Sequence, residues 1–221
     1  MAPVAPTLRV EKRLLREGCT LLAAVDEVGR GALSGPVSAG VVLIDTSVKR
    51  PLSGVRDSKL LTPAAREALV PRIRRWAVGF GVGHASAAEV DEFGLTAALR
   101  LAGWRALELL PQSPDLVLLD GNFDWLTPPE QSSLFAPAPH PSVAVPEVVT
   151  MIKADLHCAA VAAASVLAKT ERDSMMTALA AQYPEYGWDE NKGYAAPAHL
   201  EALRRLGPCP YHRQSWNLPT T

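Results

Sequence analysis

The sequence predicts an α/β protein: a mixed β-sheet flanked by helices, with a helical extension toward the C-terminal end. Three observations lead there. Two apolar runs, residues 21–25 and 37–44, flank a glycine-bearing turn and read as a strand hairpin. After them, apolar runs of strand length alternate with segments of helical period. Beyond Ala154 the chain is mostly helix and loop. Its 221 residues suffice for one ordinary domain with a real core. The expected division is a body over residues 1–182 and an extension over 183–221 packed on it.

Taken in order, residues 1–6 are expected as a loose tail, and 7–17 as a short helix with Leu8, Leu14 and Leu15 on one side. The hairpin follows, then a loop over 49–59 holding Asp57-Ser58-Lys59. Thr62 before Pro63 is a helix start, a hydroxyl cap ahead of proline at the first helical position. Leu69, Ile73 and Trp76 continue its apolar face, and Pro71 within it predicts a kink or two short helices. Residues 77–85 alternate with glycines and read as a third strand. Ser86 caps a short helix through Glu92; Gly94 opens another, with the stripe Leu95, Leu99, Ala102 and Leu109, ended by Pro111 and Pro114. Residues 116–119 form a fourth strand closed by Asp120-Gly121-Asn122, and the proline-rich 123–141 is a surface loop. Residues 143–152 give a fifth strand, interrupted near Pro146. The longest helix is expected from Ala154 to about Gln182, its alanines letting it lie close to a sheet. A loop over 183–197, a short helix over 198–205 and an irregular tail over 207–221 complete the chain, with no internal repeat.

The net charge of −1 supplies no global field toward nucleic acid. Charge is nevertheless uneven: residues 48–76 carry eight Lys/Arg against two acids, and 191–221 carry four against one plus two histidines. Such runs fit a local polyanion site, although solvated helix faces explain them more often. Cys19, Cys158 and Cys209 are odd in number and far apart, with no CxxC pair, which argues against a disulfide framework or zinc and for the reducing cytoplasm. No signal-peptide core or bilayer-spanning stretch is visible, so no membrane association is expected.

The chemistry gathers in three acidic places. Asp26 and Glu27 end the first strand, Asp120 ends the fourth, and Asp155 opens the long helix. Open sheets place ligands at such ends, and a helix N-terminus favours an anionic Asp. Neighbours in a regular strand point to opposite faces, so Asp26 and Glu27 share a site only if the backbone is irregular there, which Gly29 and Gly31 would permit. Clustered carboxylates need a cation, and oxygen ligands without His or Cys suit Mg²⁺ or Mn²⁺. Two such ions activate a water and stabilise the leaving oxygen of a phosphodiester. Arg30 would steady a phosphate, beside glycine backbones that let a sugar approach. Taken singly, each feature also has an ordinary reading: a solvated strand end, an Asp-Gly turn, a helix-start acid. The rival class is a dinucleotide-binding module, since Gly29-Arg30-Gly31 after a strand is reminiscent of GxGxxG. It fails because Ser34 takes the third glycine's place, a strand follows, and the two acids would repel a pyrophosphate.

With these residues assembled, the chain resembles bacterial ribonuclease HII, the type 2 RNase H, from about Leu21 to Trp216. The motifs that carry the resemblance are DEVGRGALSGPV, DSKLL, EVDEFG, LDGN, KADLHCAAVAAASVLAKTERD, YGWDENKGY and HRQSW. The resemblance implies a ribonuclease H-like fold and a metal-dependent endonuclease acting on RNA in RNA/DNA hybrids. It further implies incision 5′ of single ribonucleotides embedded in duplex DNA, leaving 3′-hydroxyl and 5′-phosphate ends, in ribonucleotide excision repair and primer RNA removal. The family's four catalytic acids fall on Asp26, Glu27, Asp120 and Asp155. Its junction-reading segment falls on Gly29, Arg30 and Gly31, its sugar-stacking tyrosine on Tyr194, and a backbone-contacting lysine on Lys59. The 2′-hydroxyl is what separates RNA from DNA at one site. A non-enzymatic hybrid binder is the competing class, and the presence of all four acids argues against it. The type 3 enzyme usually has lysine at Arg30 and an added N-terminal domain, for which the twenty residues before Leu21 are too few. A monomer is expected. Ala195-Ala196 and Trp216 depart from the usual pattern without touching the acids. His157 reads as a satisfied core histidine; His199 and His212 carry no assigned chemistry.

Overall fold

Strand-forming apolar runs set the frame. The computed structural model describes residues 5–129 and 141–219. Strand β1 (Leu22–Val28) pairs antiparallel with β2 (Val37–Ile44), from Leu22↔Ile44 to Val28↔Ser38. Strand β3 (Gly79–Ala85) continues antiparallel on β2. On the other side of β1, β4 (Leu116–Asp120) and then β5 (Glu147–Met151) add in parallel, giving the order β3-β2-β1-β4-β5. The helices are α1 (Arg9–Arg16), α2 (Pro63–Trp76), α3 (Ala87–Phe93), α4 (Leu95–Glu108), α5 (Ala154–His157), α6 (Ala159–Ala180), α7 (Trp188–Asn191) and α8 (Pro197–Leu206).

Alternation along β1 divides the core. Leu22 and Ala24 pack with α1, α2 and α6 on one face, whereas Ala23 and Val25 pack with α4 on the other. Every β2 residue is buried, as a central strand covered on both faces requires. Helix α6 lies close because it is alanine-rich and because Gly40 of β2 leaves room: a Cβ there would strike the Ala164 carbonyl. A third cluster joins Met176 and Ala180 of α6 to Tyr186, Trp188, Ala202 and Leu203, so the C-terminal helices dock on the far end of α6.

Several boundaries differ from the sequence expectation. The expected long helix is two: Cys158 is extended (φ −107, ψ 118) between α5 and α6. Thr7 fills the break, donating its N–H to the His157 carbonyl at 2.9 Å and accepting from Ala159 N at 2.9 Å. Helix α2 runs through Pro71 as one element; Pro71 is exposed, so water can reach the carbonyl its ring leaves unbonded. Strand β5 begins after Pro146. Leu109 leaves the α4 stripe and is 60% exposed. The start of the 123–141 loop is not all surface: Trp125 and Leu126 are buried against α4. The expected 183–197 loop contains a 3-10 turn (Pro184–Tyr186) and α7. The remainder of that proline-rich loop (130–140), the extreme N-terminal tail (1–4) and residues 220–221 lie outside the described residues.

Candidate active site

The parallel ladder between β1 and β4 ends at Val25↔Leu119. The next residues, Asp26 and Asp120, therefore stand side by side at the carboxyl ends of adjoining strands. Leu118 belongs to the α6-side cluster and Leu119 to the α4-side cluster, so Asp120, like Asp26, projects toward α6. Beyond the end of β5, Lys153 takes a left-handed conformation (φ 58) and turns the chain into α5. That turn brings Ala154 N to 2.6 Å and Asp155 N to 3.4 Å from Asp120 Oδ1. Asp120 thus caps the helix that presents Asp155. Three carboxylates thus lie at one end of the sheet.

Glu27 arrives differently. β1 stays regular through Val28, with Asp26 opposite Gly40 and Glu27 opposite Ala39. The irregular backbone expected at the two acids begins only at Gly29, so Glu27 projects from the opposite pleat to Asp26. Its Oε1 pairs with Arg30 Nη1 at 3.2 Å, and its buried Oε2 has no partner among the described residues. Arg30 is accordingly occupied by Glu27, with its side chain still 58% exposed.

The charge balance is unfavourable for four free acids. Burial, then Glu27, and then Asp120 and Asp155 push the Asp26 carboxyl well above the usual range, against a hydrogen bond from Ser165. Burial and then Asp120 raise Asp155, and burial raises Glu27 against the pull of Arg30. Lys59 answers part of this: its Nζ lies 4.0 Å from Asp155 Oδ2. Partial burial works against the Lys59 ammonium, yet Asp57, Asp26, Asp155 and Asp120 together hold its pKa above the ordinary lysine range. Its side chain is 76% exposed, so the pair is loose. Among the described residues no three acidic, His or Cys side chains converge tightly enough to hold an ion as they stand. One oxygen of each of three acids is engaged elsewhere: Asp120 serves α5, Glu27 serves Arg30, and Asp26 Oδ1 accepts from Glu27 N at 2.8 Å. The donor set itself suits a hard divalent cation, being all carboxylate oxygen, and the orphaned Glu27 Oε2 is an acceptor that a cation would satisfy.

Sequence reasoning missed what holds the neighbouring loop. Two buried arginines, without a paired carboxylate among the described residues, donate to carbonyls of residues 29–36. Arg213 reaches Gly29 O (2.7 Å), Arg30 O (2.9 Å) and Gly35 O (3.2 Å). Arg172 reaches Pro36 O (2.8 Å), Ser34 O (3.1 Å) and Lys192 O (2.9 Å). Burial and then Arg172 lower Arg213 to a pKa of about 10, which still leaves it charged at neutral pH. The signal was present, since both lie in the KTERD and HRQSW motifs, but burial of a cation among carbonyls is not readable from a motif. Gly29 (φ +87) is required where it stands: a Cβ would collide with Arg172 Nε and lie 2.8 Å from Pro36 O. A Cβ on Gly31 would meet nothing within 4 Å.

Tyr194 is brought to the same loop. Gly193 O accepts from Leu33 N at 2.8 Å, clipping the two segments together. The Tyr194 ring faces Lys169 Nζ at 5.6 Å and Arg172 Cζ at 5.4 Å, and its carbonyl is held by His199 Nδ1 at 2.8 Å. His199 in turn meets His212, Nε2 to Nε2, at 3.1 Å. Burial and then His199 lower His212 to a pKa of about 4, so the pair is neutral. With Cys209 N donating to His212 Nδ1 (3.0 Å), the proton order runs from His212 Nε2 to His199 Nε2 and from His199 Nδ1 to the Tyr194 carbonyl. His157, expected in the core, is exposed.

Comparison with known proteins now decides the family. The ribonuclease HII family profile matches residues 23–218. The chain belongs to the ribonuclease HII family. It is 45% identical over 216 residues to ribonuclease HII of Streptomyces avermitilis, spanning 97% of this chain and 85% of that one. Among solved structures, ribonuclease H2 from Pyrococcus horikoshii superposes with a TM-score of 0.68 at 26% identity, covering 90% of this chain and 95% of that one. Bst-RNase HIII in complex with Mn²⁺ shares the fold, with a TM-score of 0.64 at 19% identity over 90% of this chain and 68% of that one. As a ribonuclease HII, the chain is a hydrolase that cleaves RNA in RNA/DNA hybrids and belongs to a class that uses divalent metal. Among the described residues no helix is long and apolar enough to cross a membrane.

Proposed function

We propose that Asp26, Glu27, Asp120 and Asp155 hold the divalent metal, Mn²⁺ or Mg²⁺, and that Gly29, Arg30, Gly31 and Tyr194 select the ribonucleotide. The observation that carries this is the meeting of Asp26, Asp120 and Asp155 at the carboxyl ends of parallel strands, beside a loop shared with Tyr194. Bound cations would supply the Lewis acidity that activates a water and stabilises the leaving oxygen. The chain's own residues do the rest. Arg30, exposed and held only by Glu27, exchanges that carboxylate for a substrate phosphate, which releases Glu27 toward the metal site. Gly31 leaves its backbone open to a 2′-hydroxyl. Tyr194, steadied by two cations and by His199, offers a ring to the following sugar. Lys59 faces solvent at the edge of the acids, placed to meet the phosphate backbone.

The proposed reaction is a nick 5′ of a ribonucleotide embedded in duplex DNA, giving 3′-hydroxyl and 5′-phosphate ends, in ribonucleotide excision repair and primer RNA removal. The Mn²⁺ complex of Bst-RNase HIII supports Mn²⁺ as one competent ion through a shared fold. The enzyme is proposed to act as a cytoplasmic monomer, with residues 1–182 as its catalytic body and 183–221 as the extension that carries Tyr194. Mn²⁺ titration by calorimetry tests the metal site. Asp120→Asn and Glu27→Gln should each weaken binding at least about tenfold, the loss of one charged ligand. Binding unchanged in both variants would remove the assignment.

A further inference from the structure

We propose that the outer face of α1 is a second nucleic-acid contact, which binds the sugar-phosphate backbone of the duplex arm beyond the acids. The inference rests on the family's duplex substrate and extends it to a surface that the active site does not include.

Arg9, Arg13 and Arg16 are spaced at i, i+4 and i+7 and so line one face of α1. All three are exposed, and among the described residues only Arg13 makes an ion pair, with Glu17 at 4.0 Å, itself exposed. They line a groove of about 700 Å³ together with His157 and the apolar side chains of Met151 and Leu156. Among the described residues no acid lines the groove; the one acid in the middle of α1, Glu11, points inward and is buried. Positive charge beside apolar side chains matches a strand of phosphates and sugars. The three arginines span about 10 Å of helix, the axial length of about three nucleotides of one strand.

Continuity with the active site makes the occupant a duplex rather than an unrelated anion. Thr7, directly ahead of α1, is hydrogen-bonded to His157 O and to Ala159 N. His157 ends the four-residue helix that presents Asp155, so the groove begins within about one helical turn of a proposed catalytic acid. A backbone leaving the acids on that side meets the arginines next.

The test is binding and incision of single-ribonucleotide DNA duplexes from about 8 to 30 base pairs across a salt series. It compares the wild type with two triple variants, Arg9, Arg13 and Arg16 all changed to Ala or all changed to Lys. The wild type should gain affinity once the duplex reaches α1. The alanine variant should lose that gain, about tenfold or more at 0.1 M salt, and its log–log salt slope should flatten by up to about 3. Short duplexes should bind both proteins alike, kcat at saturation should be unchanged, and the lysine variant should keep most of the gain. Equal affinity and slope for the alanine variant at every length overturns the proposal. So does a loss equal on short and long duplexes, or wild-type affinity for anionic vesicles with no length gain on duplex. Failure of the wild type to cut any duplex would instead overturn the functional reading.

Discussion

At residue scale the site pays for its charge in the metal-free protein, and the sign of that cost is testable. Asp26 has its folded pKa raised by burial and by its acidic neighbours. Its contribution to stability is therefore full below the unfolded carboxyl pKa and lost as pH rises through the folded value. Asp26→Asn should abolish incision yet raise the melting temperature of metal-free protein at pH 7.5, and this gain should shrink toward pH 4. A lower melting temperature at pH 7.5 would mean that the acid is stabilised in its ionised form. The two loop glycines separate structure from function. Gly31→Ala meets no atom, so stability should change by less than about 0.5 kcal/mol while junction incision falls. Gly29→Ala forces a Cβ into Arg172 at positive φ and should cost about 1–3 kcal/mol in denaturant unfolding. Equal stability of the two variants would contradict the packing described. The acids themselves were legible in the sequence, as strand-end and helix-start carboxylates. The separate pleats of Asp26 and Glu27 were legible only as a conflict, which the fold resolves by keeping β1 regular.

At the scale of elements, long-range contacts decide what local patterns leave open. Helices α2, α3 and α4 begin where their Thr62, Ser86 and Gly94 signals place them, and Ser86 forms a full capping box with Glu89. The split between α5 and α6 was not readable because it depends on Thr7, some 150 residues away, supplying backbone partners at Cys158. Glu11 acts across the same distance: its Oε1 accepts from Ala160 N at 3.0 Å in the first turn of α6. Burial, opposed by that backbone bond, raises Glu11 to about 7. Its stabilising effect is complete below about 4.5 and lost as pH rises through about 7. Glu11→Gln should match wild type in unfolding free energy at pH 4 and exceed it at pH 8.5, by at most about 3 kcal/mol. A gain of equal size at both pH values would place the titration elsewhere. Arg213 binds three loop carbonyls that lysine cannot span together. Arg213→Lys should speed amide exchange across residues 29–36 and cost about 1–3 kcal/mol.

For the whole molecule, a net charge of −1 hides a segregated surface. The acids sit at one end of the sheet, where Lys59 and Arg30 pair with them, and the α1 arginines line a separate groove. The fold class and the strand hairpin were legible because contiguous apolar runs of strand length report burial directly. The buried arginines, the His199–His212 pair and the docked Trp125 were not, because a polar or loop residue becomes structural only through partners distant in sequence. The central claim is that these acids cut at a ribonucleotide with metal. The most direct measurement is incision of a DNA duplex carrying one ribonucleotide, in Mn²⁺ or Mg²⁺, by wild type and by Asp26→Asn, with all-DNA and chelator controls. A metal-dependent nick 5′ of the ribonucleotide by wild type alone is the predicted result. Full incision by folded Asp26→Asn would contradict it.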